Sequence, residues 1–152
     1  EKYRDDQVNT GIISALVGGF ALTNSWELYS DFLSDASTET LQPLDEAAYV
    51  LTILAIHACT CSALISAFLY RTLTRLNSAK AGVLWVDRHQ VLVQLPWWKF
   101  LGGTLCYVVS VMFVAWRTLE PNSISRIVAL VGGIFMVFGV FCTWFIIETD
   151  KG

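Results

Sequence analysis

Glu27 and Asp31 are two carboxylates one helical turn apart at the end of an apolar run, VNTGIISALVGGFALTNSWELYSD, residues 8–31. On a helix Ile12, Leu16, Phe20, Thr23 and Glu27 share one stripe, at steps of four, four, three and four. That stripe drifts only about 60° between Ile12 and Glu27 at 3.6 residues per turn. An acidic side chain therefore stands in line with an apolar track. An ionisable residue placed so at a membrane boundary is what an ion pathway needs. The simpler alternative is that Glu27 is the first interfacial residue after a membrane helix, reaching into water.

The second set of candidate ligands is His57, Cys59 and Cys61. Only His57 and Cys61 share a helical face, because i and i+4 meet while i+2 points away. Buried free cysteine is common, so this cluster is expected to be packing, with His57 in an interhelical hydrogen bond. Four cysteines (Cys59, Cys61, Cys106, Cys142) all lie in apolar runs, which argues against a secreted disulfide framework. No phosphate-cradling loop, nucleophile elbow or acid/base pair occurs. No enzyme activity, bound cofactor or nucleic-acid partner is expected.

These residues must be positioned by membrane helices. The 152 residues amount to about one domain. Hydrophobic residues make up 55% and charged residues 15%, against about 25% charged in soluble domains. Several runs of about 20 residues carry almost no charge, enough for a helix to cross the hydrocarbon. The expected class is an all-α, multi-pass membrane protein: one domain, 1–152, with spans at about 8–28, 47–70, 97–116 and 127–147. The chain opens on Glu1 rather than Met, which reads as trimming; no signal peptide is visible.

The first span is the least apolar, with Asn9, Thr10, Thr23, Asn24 and Ser25. Its Ala15, Gly18, Gly19 and Ala21 suit close helix approach, which places it inside an assembly. Gly102-Gly103 and Gly132-Gly133 read the same way. An acidic loop follows from Glu27 to Glu46, and Pro43 with Asp45-Glu46 signals the next helix start. Gly82 to Pro96, GVLWVDRHQVLVQLP, is interrupted by Asp87-Arg88-His89-Gln90 and cannot span; a short hairpin and an interfacial segment are both open. Trp97, Trp98 and Trp116 suit the aromatic belts. Lys and Arg number two at the amino terminus and five in the second loop, against none in the first loop and two in the third. The charge bias then puts both termini and the second loop on the cytosolic side.

Ser14 to Asp31, SALVGGFALTNSWELYSD, resembles the first span of the Orai family, the calcium-release-activated calcium channels. There a Ser-Ala-Leu-x-x-Gly-Phe-Ala run leads to a pore glutamate, with an aspartate four residues beyond it. All those positions are present here without a gap. Gly103-Thr104-Leu105 running to Trp116 resembles the family's third span. Ala58-Cys59-Thr60 and Gly132-x-Ile-Phe-Met-Val-Phe of this chain, the latter with Gly133 at its second place, match the second and fourth. The first span is the specific part of the likeness.

The resemblance implies a calcium-permeable channel subunit of the plasma membrane, with an organelle membrane also open, and a homohexamer whose first helices line one pore. It makes Glu27 the selectivity filter and calcium ligand, with Asp31 gathering cations at the mouth. Thr23 stands where the family has valine; Phe20 and Leu16 form the hydrophobic section, and Gly19 its hinge. Below them Ile12 and Val8 replace the family's basic residues, and Arg4 alone keeps a charge. Ser110 stands for the family's third-span glutamate and Ala67 for its second-span histidine. The alternative from another class is a non-conducting four-helix accessory subunit of a large membrane complex.

Overall fold

The computed structural model describes residues 2–35, 43–76, 78–119, 121 and 123–149. Five helices account for nearly all of them: α1 (Lys2–Asp35), α2 (Pro43–Thr74), α3 (Ala79–Arg88), α4 (Gln90–Thr118) and α5 (Ile124–Thr149). The packing runs in order, α1 on α2, α2 on α4, and α4 on α5.

Three helices are long and apolar enough to cross a membrane: α2, α4, and α5 from Ile124 to Cys142. At 34 residues, α1 has the length, roughly 50 Å at 1.5 Å per residue. It does not reach the same apolarity, in keeping with its Asn, Thr and Ser content. α2 begins at Pro43 with Asp45 and Glu46 in its first turn. Proline there loses no needed bond, and the acids face the positive end of the helix dipole.

The core is made of small and polar side chains. Ser14, Thr52, Ala55, Cys59, Ser62 and Ser110 are each completely buried. Lipid tails are as apolar as leucine, so hydrophobicity does not drive helices together in a bilayer. Close approach and interhelical hydrogen bonds do. The Ser14 and Ser62 hydroxyls meet at 2.9 Å, and Ser62 donates to the Pro96 carbonyl at 2.7 Å. Ser62 has one proton, so Ser14 must be the donor of the first bond. One relay thus ties α1, α2 and α4 together at one level. A second knot joins Thr52, Ser110 and the Ala48 carbonyl.

Each glycine pair divides its work. A Cβ on Gly18 would come 3.2 Å from the Cys59 Cβ, whereas one on Gly19 would meet nothing within 4 Å. A Cβ on Gly103 would come 2.8 Å from Cys59 Sγ and one on Gly133 2.6 Å from Met112 Sδ, while Gly102 and Gly132 are open. Neighbours on a helix point about 100° apart, so only one of a pair can face a given partner. Ala15 and Gly19 are accordingly exposed, which corrects half of the expected contact set.

The segment left open between hairpin and interfacial peptide is helical. Ser78 caps α3, its hydroxyl accepting from the Ala81 N–H at 3.2 Å. The helix ends at His89, whose N–H is shared by the Trp85 and Val86 carbonyls at 3.1 Å each. The His89 ring also stacks on Trp85, with centroids 4.6 Å apart. α4 begins at once, absorbing Gln90 to Pro96 into the third long helix. A hairpin is therefore excluded.

Candidate functional site

The two sides of α1 are unlike. Gln7, Ser14, Gly18, Ala21 and Ser25 are buried, and Gly11 lies close enough that a Cβ there would be 3.3 Å from the Ser66 Cβ. All fall within about 80° of the helix wheel. Polar residues are held where they can bond: Gln7 Nε2 donates to the Val93 carbonyl at 3.3 Å, and Ser25 to the Leu22 carbonyl at 2.9 Å. This is the face α1 turns to the rest of the chain.

The stripe read from the sequence lies on the opposite side. Ile12, Leu16 and Phe20 are 56%, 57% and 63% exposed, and Val8, Gly19, Thr23 and Glu27 are exposed with them. Arg4 is half-buried at the amino-terminal end, 3.8 Å from Asp5. Asp31 falls within α1, but its side chain lies outside the described residues, as do residues 36–42 of the acidic loop. Thr23 returns its hydroxyl to the Gly19 carbonyl at 3.2 Å. The donor is thereby satisfied within the helix, although this residue is otherwise open.

Glu27 has no ion-pair or hydrogen-bond partner for its carboxylate among the described residues. The cations at the same end of the bundle are engaged elsewhere. Arg117 pairs with Asp45, which is buried at the start of α2. Arg126 lies over the Trp116 ring, 3.7 Å from its centroid. A carboxylate left unpaired on an open face is free to meet a cation from outside the chain.

The described residues of one chain do not make a metal site. No three His, Cys, Asp or Glu side chains come together among the described residues. Glu27 offers a single carboxylate, whereas Ca²⁺ takes six to eight oxygens. Among the described residues nothing else adds a carboxylate beside it. His57 is exposed on α2, and the interhelical hydrogen bond expected of it is not formed among the described residues. Cys59, between His57 and Cys61, is the buried one of the three.

A comparison with protein-family models, with curated proteins and with solved structures gives no match for this chain. The functional reading therefore rests on the residues and their geometry.

Sequence reasoning did not find the Asp45–Arg117 pair or the serine–threonine knots. A signal was present for the side of α1 that carries Ser14: Ser14, Gly18, Ala21 and Ser25 recur at four, three and four, opposite the apolar stripe. The ion pair joins residues 72 positions apart and has no local signal.

Proposed function

We propose that this chain is an Orai-like, calcium-permeable channel subunit that assembles as a ring with α1 toward the axis. One observation carries the reading. α1 turns its small polar face inward and leaves an apolar stripe, ending in an unpaired Glu27, open along its length. A lipid-facing side has little use for Asn9 and Thr23, and a carboxylate in line with such a stripe is what an ion pathway needs.

In a ring, the Glu27 carboxylates converge and repel one another until a cation neutralises them. A hard dication with a preference for carboxylate oxygen suits such a ring. Phe20 and Leu16 below it form rings that close by expelling water. Ile12 and Val8 prolong this apolar section toward Arg4. The residues of α2 and α4 then hold α1 in place, and α5 lies outermost, against lipid.

The test is Glu27→Gln against Glu27→Asp, recorded in calcium and in sodium. The glutamine keeps size and most hydrogen bonding but no charge, and should assemble yet lose calcium current. The aspartate, one methylene shorter, should conduct with relaxed selectivity. Calcium selectivity retained in Glu27→Gln ends the assignment. An accessory subunit would show no current from the wild type, and one copy among unlike chains instead of a ring.

A further inference from the structure

We propose that α3 is a membrane-surface anchor that rests on anionic lipid headgroups through Lys80, Leu84 and Arg88. The three residues follow at steps of four, so they form one stripe along the ten-residue helix. All three are exposed, Leu84 to 70%. Val86, about 200° away on the wheel, is buried. α3 therefore turns Val86 to the protein and a cation–leucine–cation stripe away from it. Val83 and, beyond the His89 break, Val91 and Leu92 add more exposed apolar surface.

Charge favours lipid as the occupant. Between Glu46 and Glu120 the sole acid is Asp87, against Arg71, Arg75, Lys80, Arg88, Lys99 and Arg117. Asp87 is exposed on α3 itself, and the two flanking cations outnumber it. Long basic side chains can lay their stems beside Leu84 while their heads reach phosphate. An anionic leaflet attracts such a segment within a Debye length.

Tethering favours the same occupant. α2 and α4 are both apolar enough to cross a membrane, and α3 is joined to them by only residues 75–78 and by His89. Four extended residues reach at most about 14 Å. α3 is held beside the bilayer surface whatever α1 does, so this inference does not depend on the channel reading.

Amide hydrogen exchange on the full chain in lipid nanodiscs tests it. Discs of phosphatidylcholine are compared with discs in which about a third of the lipid is phosphatidylserine, enough to charge the surface. Amides 80–88 should exchange more slowly on the anionic discs. Lys80→Gln with Arg88→Gln should remove the difference, at roughly five-fold for each charge. Leu84→Gln should weaken it with the charges intact. Amides of α4 report whether each variant is folded, and the wild-type comparison decides even where a variant is not. Equal exchange on both discs overturns the proposal. So does slowing produced on phosphatidylcholine discs by soluble glycerophosphoserine, which would mark a phosphate pocket instead of a surface anchor.

Discussion

α1 and α5 both leave large apolar side chains exposed, yet they are built by opposite rules. No residue in the apolar window of α5, Ile124 to Cys142, is buried. Val128, Ile134, Phe135 and Phe138 are all well exposed, while Gly133 lies close to Met112 and Arg126 lies over Trp116. Such a surface suits contact with hydrocarbon. α1 has one side of Ser, Gly and Ala locked to α2 and another of Leu and Phe that is open. Exposure alone does not tell lipid from an assembly axis; what shares the exposed side does. On α5, beyond Ser125 in the first turn, the exposed described residues are apolar or glycine, while on α1 they include Asn9, Thr23 and Glu27.

The contrast breaks most visibly at glycines. Gly103→Leu should abolish folding, because even a Cβ would be 2.8 Å from Cys59 Sγ and 3.2 Å from the Ala55 carbonyl. Overpacking of this kind costs about 3 kcal/mol or more. Gly132→Leu on α5, where a Cβ meets nothing within 4 Å, should leave stability unchanged or slightly higher. Folded yield and melting in detergent, followed by size-exclusion, compare the two. A Gly103→Leu protein as stable as the wild type would refute the α2–α4 packing.

The next effect is on conduction. If Leu16 closes a pore by excluding water, Leu16→Ser should give constitutive leak from an assembly of unchanged size. Phe135→Ser on α5 should give none. A well-assembled, silent Leu16→Ser protein would count against the gate. Loss of assembly would show that Leu16 packs against a neighbouring helix.

The sequence made the helices legible because hydrocarbon demands about 20 apolar residues in a row. It also placed the stripe of α1, since helical periodicity is local. The partner side was harder. The spacing of Ser14, Gly18, Ala21 and Ser25 sets Gly18 apart from Gly19, but it could not say which helix that side meets. The Gly18 contact with Cys59 settles it through a residue about forty positions away. The 82–96 stretch was left open between hairpin and interfacial segment for another reason. Its β-branched run suggested a hairpin, but the Ser78 cap and the continuity into α4 made helix the better hydrogen-bonded solution.

A third measurement separates the two contacts within the core. Ser62→Ala removes the acceptor for Ser14 and the donor to the Pro96 carbonyl. The completely buried Ser14 hydroxyl would lose its partner on α2. The expected cost is about 1–2 kcal/mol, at the upper end for hydrogen bonds between membrane helices.

Ser110→Ala should do less, although Ser110 is equally buried and makes two contacts. The knot holds two hydroxyl protons and three short contacts: Thr52 to Ser110 at 2.6 Å, Thr52 to the Ala48 carbonyl at 2.9 Å, and Ser110 to the same carbonyl at 2.7 Å. Delete the Ser110 hydroxyl and Thr52 can still donate to Ala48. No buried donor is left alone, and the cavity is the size of one oxygen. The cost should be about 0.5 kcal/mol, the typical value for such a bond in a bilayer. If the chain conducts as proposed, calcium selectivity should not change, since Ser110 lies on α4, away from the open side of α1. Melting curves for Ser62→Ala, Ser110→Ala and the double variant give the order. A loss for Ser110→Ala as large as that for Ser62→Ala would mean that Thr52 cannot satisfy itself, and that α2 and α4 depend on one another through this knot as strongly as α1 and α2 do through Ser14.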